Sequence, residues 1–216
     1  MSPGLFGTLA AAAVAVGSLH TLAPDHWVPF AALARAQRWS AARTARITVA
    51  CGFGHVTVSA LLGLLGLFLG HEMLQAFGRR MEAAAGILLV GFGLAYGVWG
   101  LRRAAGKRLH GHAHAHYDHV HDPSGATAWT LFLLFSADPC VAVIPLLFAA
   151  APLGAAPTTG IVLAYEIATI AAMVALVLPA SAGARSLRAA WLDRYGDAAA
   201  GAVIAVVGVA VTWLGW

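Results

Sequence analysis

The sequence predicts an all-helical, polytopic membrane protein with six transmembrane helices. Of its 216 residues, 60% are hydrophobic and only 10% are charged, and the mean hydropathy is +0.78. A water-soluble domain could not bury so much apolar surface in its own core. Crossing about 30 Å of hydrocarbon takes roughly 20 apolar residues, and six such runs can be drawn. They lie at 4–33, 47–70, 82–101, 127–151, 158–181 and 196–216.

The first run resembles a signal peptide in its alanine-rich stretch. However, no Lys or Arg precedes the apolar region within residues 1–19, and the run continues well past it. We therefore interpret 4–33 as a retained span.

The basic residues predict the orientation, because Lys and Arg of short loops concentrate on the cytoplasmic side. Nearly all of the 13 Lys and Arg follow spans one, three and five. We expect both termini to face outside, in a membrane of the bacterial inner-membrane type. The net charge of +4 then reflects topology and contact with the lipid bilayer rather than nucleic-acid binding.

The chain divides into residues 1–101 with three spans, a hydrophilic loop at 102–126, and residues 127–216 with three more. Aligning the halves sets Pro24 on Pro139, Asp25 on Cys140 and Cys51 on Glu166. Since each half has an odd number of spans, a duplication would give two inverted three-helix repeats, as in many secondary transporters. Coincidence between two Ala- and Leu-rich segments is the alternative.

Ionisable side chains inside spans usually mark a pathway or a pair, because each is costly in hydrocarbon. The informative ones in the predicted spans are His20, Asp25, His26, Cys51, His55, Asp138, Cys140 and Glu166. A structural hydrogen-bonded network is the alternative to a functional site. The density of groups around Pro24 favours a site.

The depths of the polar residues below the membrane surface predict that the ionisable groups of spans one and two meet. His26 and His55 each lie about eight residues from the cytoplasmic end of their span, or about 12 Å from the same surface. His20 and His26 are six residues apart, so a regular helix would point their rings about 120° apart. Pro24 removes a backbone donor and permits a kink or an unwound segment, which would let the imidazoles and Asp25 converge.

Imidazole, carboxylate and thiolate together suit a divalent ion of intermediate softness, such as nickel, cobalt or zinc, better than magnesium or calcium. Cys51 shares a helical face with His55, four residues away, although a buried cysteine is often an apolar filler. The predicted metal ligands are His20, Asp25, His26, Cys51, His55, Asp138 and Glu166.

Two motifs resemble those of the nickel/cobalt permease family. HTLAPDH, at 20–26, fits that family's H-x4-D-H signature, and GHVTV, at 54–58, is similar to its second motif. The resemblance implies a transporter of Ni²⁺ or Co²⁺ rather than an enzyme, without a tightly bound cofactor. It also implies that His20, Asp25, His26 and His55 select the metal.

The sequence departs from that family in two respects. Larger members have eight spans with the signature in the second, whereas here six are predicted and the signature lies in the first. The family's third motif, Leu-Gly-Phe-Asp-Thr-Ala-Thr-Glu, is not intact, and its nearest counterpart is LFSADPC, at 134–140, with Glu166 further on. Which metal is carried, in which direction and with which coupling ion stays open, as does the oligomeric state.

A histidine-rich run, HGHAHAHYDHVHD, occupies 110–122 between spans three and four. Such a tract cannot pack a core and is typical of a flexible metal-binding segment that captures, senses or buffers ions. A solvated linker without a role is the alternative. Similar loops in exporter members of the nickel/cobalt group favour efflux. The loop histidines are His110, His112, His114, His116, His119 and His121.

A different function class remains as an alternative. ADPCVAVIP, at 137–145, resembles the Pro-Cys motif of membrane thiol-disulfide transporters, which would use Cys51 and Cys140 to pass electrons. That chemistry requires two thiols that are close and accessible. Intramembrane proteolysis is disfavoured, because HEMLQ, at 71–75, lacks the second histidine of H-E-x-x-H and no G-x-S-x-G turn is present.

Overall fold

The computed structural model describes residues 3–69, 71–106, 123–138, 140, 142–186 and 190–214, and every regular element in these ranges is helical. The all-helical prediction is therefore confirmed for this part of the chain. Two short 3-10 helices, Pro24–His26 and Ala151–Leu153, accompany the α-helices. The α-helices are α1 (Pro3–His20), α2 (Val28–Ala36), α3 (Ala41–Leu69), α4 (His71–Gly106), α5 (Pro123–Ala137), α6 (Val143–Ala150), α7 (Ala155–Ser186) and α8 (Ala190–Leu214).

Four helices, α3, α4, α7 and α8, are each long and apolar enough to cross a membrane. A fifth candidate is a broken span in which Gly4–His20 and Pro24–Ala36 meet at an angle of 82°. The predicted fourth span, 127–151, covers most of the short apolar helix α5 and all of α6. The described residues thus provide four to five membrane-span candidates.

Prolines account for the ends of α1 and α5. A residue in an α-helix donates its N–H to the carbonyl four residues earlier, and proline has no N–H to donate. Pro24 therefore cannot donate a hydrogen bond to the carbonyl of His20. That carbonyl accepts the N–H of Ala23 at 3.1 Å instead. Pro139 likewise has no N–H to donate to the carbonyl of Phe135, and α5 ends at Ala137.

The outer surface of the bundle is apolar. Large aliphatic and aromatic side chains are exposed on α1, α3, α4, α7 and α8, which is unusual for a protein surrounded by water. This exposure and the span lengths indicate a membrane protein. Examples are Leu19, Leu61, Ile87, Leu94, Ile167, Val206 and Trp213.

Inside the bundle, buried apolar side chains form two clusters. The first includes Phe30 of α2, Phe135 of α5 and Ile204 of α8. The second includes Ile161 and Tyr165 of α7, together with residues of α1, α3 and α6.

The most extensive helix pair is α4 with α8, whose backbones touch through glycines. A Cβ added to Gly93 would lie 2.7 Å from the carbonyl oxygen of Gly201 and 2.9 Å from Cα of Ala205. A Cβ at Gly201 would overlap the backbone of Gly97. Small residues allow the two backbones to approach this closely. Regularly spaced small residues often have this role between membrane helices.

Polar groups join α2, α4, α5 and α8 at one end of the bundle. The Gln37 amide donates to the Tyr96 hydroxyl and to Oγ1 of Thr127, both at 3.0 Å. The Tyr96 hydroxyl donates to a carboxylate oxygen of Asp197 at 2.9 Å, and Arg103 pairs with the other at 3.2 Å. Hence the C-terminal parts of α2 and α4 meet the N-terminal parts of α5 and α8 here.

Candidate metal centre

The break after α1 brings three histidine rings together. His20 is the last residue of α1, His26 lies in the 3-10 helix that follows, and His55 lies within α3. Their ring centroids are 4.3 Å apart for His20 and His26, 5.2 Å for His26 and His55, and 6.2 Å for His20 and His55. His26 and His55 are buried, and His20 is partly buried. The interruption at Pro24 therefore allows the convergence that a regular helix would prevent.

Asp25 orients the His26 ring. Nδ1 of His26 lies 2.9 Å from a carboxylate oxygen of Asp25, and both side chains are buried. An ionised carboxylate only accepts hydrogen bonds, so Nδ1–H of the imidazole is the donor. A neutral imidazole then carries its lone pair on Nε2. A carboxylate behind a histidine is the usual arrangement around a metal-binding imidazole.

The end of α5 orients His55. Nδ1 of His55 donates to the carbonyl oxygen of Phe135 at 3.1 Å, because a carbonyl can only accept. The neutral His55 ring therefore has its lone pair on Nε2. That atom and Nε2 of His20 are buried and have no hydrogen-bond partner among the described residues. An unpaired buried polar atom is unfavourable by about 1–3 kcal/mol, and these two ring nitrogens are therefore available to a ligand or a water molecule.

A glycine permits α5 to approach His55 this closely. A Cβ on Gly54 would lie 2.9 Å from the ring of Phe132 and would overlap the hydroxyl of Ser136. The Gly-His pair therefore has a physical reason: the residue before His55 must lack a side chain for the Phe135 carbonyl to reach the imidazole.

Cys140 joins two of the histidines. The donor atoms of His20, His55 and Cys140 all lie within 4.8 Å of one another. From its sequence context Cys140 is an ionisable group of a span that belongs to the redox alternative and not to the predicted metal ligands. Its position in LFSADPC, the run that ends α5 beside His55, was the available signal.

None of the other predicted ligands, which are Asp25, His26, Cys51, Asp138 and Glu166, belongs to the group of donor atoms that lie within 4.8 Å of one another. Asp138 lines a small cavity together with Asp25, between α4, α5 and α8. Cys51 is 1% exposed and belongs to the first apolar cluster. Glu166 accepts a hydrogen bond from Thr57 at 3.4 Å.

The redox alternative gains no support from the arrangement of the thiols. Both cysteines are free and buried, and Cys51 and Cys140 belong to different apolar clusters. The histidine-rich run, with His110, His112, His114, His116, His119 and His121, lies outside the described residues.

Comparison with protein-family models, with curated proteins and with solved structures finds no match to this chain.

Proposed function

We propose that the protein is a membrane transporter for a divalent transition-metal ion, with nickel and cobalt as the substrates that the family resemblance implies. One observation carries the proposal: the unpartnered Nε2 atoms of His20 and His55 belong to rings that stack 6.2 Å apart inside an apolar bundle. Nitrogen donors of this kind suit nickel, cobalt and zinc.

The ion is held in this proposal by His20, His26 and His55, and Asp25 orients the His26 imidazole. Asp25 also supplies negative charge close to a dication in an apolar surrounding, where an uncompensated ion would be strongly unfavourable. Because each imidazole binds metal only when neutral, protons compete with the ion for the site.

The proposed topology has six spans, with α5 and α6 forming a second broken span and both termini outside. Its support is the clustering of basic residues at one end of the bundle, where Arg103 pairs with Asp197 and Arg185 donates to the carbonyl of Trp39 at 3.2 Å. Cationic residues are retained on the cytoplasmic side, so this end would face the cytoplasm. The membrane would be of the bacterial inner-membrane type.

The two halves are proposed to be inverted repeats that rock against each other. Packing supports this, since α1 and α2 of the first half pack on α7, as α5 and α6 of the second half pack on α3. Two further pairs, α3 with α7 and α4 with α8, join equivalent helices across the halves. Additionally, α2 packs on α8. Broken helices near the midplane are typical of transporters of this design.

The first test is nickel flux into proteoliposomes, with cobalt and zinc as competitors, for wild type and His20→Ala. We expect flux in wild type and its loss in the variant. Gly91→Ala on α4 is the control, because an added Cβ there meets nothing within 4 Å and the centre is left unchanged. Absence of flux for all three metals in folded, inserted wild type would refute the transporter. Equal flux in wild type and His20→Ala would refute the site.

The histidine-rich loop is proposed to capture metal on the cytoplasmic side. Its resemblance to loops of exporter members favours efflux, and oriented vesicles loaded with nickel on one side would measure the direction.

A further inference from the structure

Cys140 lies in the connection between α5 and α6, and it is 1% exposed. Its donor atom and those of His20 and His55 are mutually within 4.8 Å. We infer that the Cys140 thiolate is a ligand of the transported ion, supplied by the second half of the chain. The inference rests on the proposed function and deepens it, because it adds sulfur to a site that the motifs describe as nitrogen and oxygen alone.

Hydrogen bonds fix the backbone of Cys140 beside His55. The N–H of Cys140 donates to Oγ of Ser59 at 2.6 Å, and the hydroxyl of Ser59 donates to the carbonyl oxygen of His55 at 2.6 Å. One hydroxyl can donate once and still accept, so it satisfies both bonds. Ser59 thereby connects the α5–α6 connection to the turn of α3 that carries His55.

The side chain of Cys140 is oriented by Tyr165. The sulfur lies 2.7 Å from the phenolic oxygen, and Tyr165 is fully buried on α7. When the sulfur is a thiolate, the Tyr165 O–H is the donor and stabilises the negative charge. Hydrogen bonds of this kind around a ligand usually affect metal affinity by about 10–100-fold.

The donor spacing is compatible with an ion after a small contraction. Metal–nitrogen and metal–sulfur bonds of about 2.0–2.3 Å place tetrahedral donors about 3.3–3.8 Å apart. The donors here lie within 4.8 Å of one another, so a closure of at most about 1–1.5 Å suffices. As the S–metal bond forms, the thiol releases its proton to solvent, and both histidines bind as neutral imidazoles.

A sulfur ligand also restricts which metal ions the site can bind. A thiolate disfavours magnesium, calcium and manganese, which prefer oxygen donors, and it favours cobalt, nickel and zinc. Because His20 and His55 belong to the first half of the chain and Cys140 to the second, an ion bound by all three would draw the halves together.

The test is titration of the purified full-length protein with Co²⁺, followed by optical absorption. A cobalt–thiolate bond gives an intense sulfur-to-cobalt charge-transfer band, which nitrogen and oxygen ligands do not give. We expect the band in wild type and in Cys51→Ser, and its absence in Cys140→Ser. Cys51→Ser is the matched control because Cys51 and Cys140 are both 1% exposed, and the chain has 2 cysteines.

Wild type and Cys51→Ser decide the question even if Cys140→Ser does not fold, since a band in Cys51→Ser can come only from Cys140. Bound cobalt without the band in wild type would overturn the sulfur ligand and leave the transporter proposal intact. Loss of the band in Cys51→Ser would also overturn the assignment of Cys140 as the sulfur ligand. No cobalt binding to folded wild type would overturn both proposals.

Tyr165→Phe tests the positioning role separately. It should keep the band, since the sulfur remains, but weaken cobalt affinity by about 10–100-fold. Unchanged affinity would contradict the role of Tyr165.

Discussion

Replacing Gly54 by alanine should weaken metal binding without removing any ligand. The added Cβ would overlap the Ser136 hydroxyl, which can rotate away, and would lie 2.9 Å from the Phe132 ring, so we expect α5 to withdraw until ordinary contact begins at 3.4 Å. A withdrawal of about 0.5 Å stretches the bond between Nδ1 of His55 and the Phe135 carbonyl from 3.1 Å to about 3.6 Å, which is no longer a hydrogen bond. The proton of His55 is then no longer fixed on Nδ1.

Loss of such an orienting bond lowers metal affinity by about 10–100-fold, equivalent to about 1.4–2.7 kcal/mol. Cobalt titration of purified Gly54→Ala against wild type measures the change. The matched control is Gly91→Ala on α4, where an added Cβ meets nothing within 4 Å. Cobalt affinity equal to wild type in a folded Gly54→Ala protein would refute the reasoning that α5 orients His55.

Four further predictions concern the same molecule. Asp25→Asn should lower cobalt affinity by about 10–100-fold, because Asn can still accept from His26 but lacks the charge; titration measures it, and an unchanged value would contradict the assigned role. Cobalt affinity should fall as the pH is lowered, because protons compete with the ion for the imidazole lone pairs and the thiolate; an affinity that does not change with pH would contradict ligation by these groups. Deleting 110–121 should change the apparent transport affinity while flux persists, and complete loss of flux in a folded deletion would count against a capture role. Gly93→Ala should lower the melting temperature by roughly 2–10 °C relative to Gly91→Ala, since α4 and α8 must separate, whereas equal melting would contradict the backbone contact.

The sequence was sufficient to predict an all-helical chain and the interruption of the first span, whereas the described residues provide four to five span candidates instead of the six predicted. Apolar run lengths locate the helical segments, and Pro24 lacks the N–H that would continue α1 past His20. Matching depths also predicted that His26 and His55 could meet, and their rings are 5.2 Å apart.

The choice between the two thiols could not be made from the sequence. Cys51 is one turn from His55, and helical periodicity puts both on one face. However, one turn is a rise of about 6 Å, and at that level neighbouring helices supply apolar side chains such as Met173. Which residues surround a helix face depends on tertiary packing, as does the end of α5 that brings Cys140 to the centre.

The acceptor that orients His55 is the backbone carbonyl of Phe135, and this has a consequence for natural variation. Every amino acid has that carbonyl, so any residue at this position retains the acceptor provided that α5 still ends there. Changes at Phe135 therefore need not alter the tautomer of the buried imidazole. Pro139 contributes by lacking a donor that would compete for the same oxygen. Substitutions near the end of α5 can consequently leave the chemistry of the centre intact. An insertion or deletion of one residue there would misplace the carbonyl.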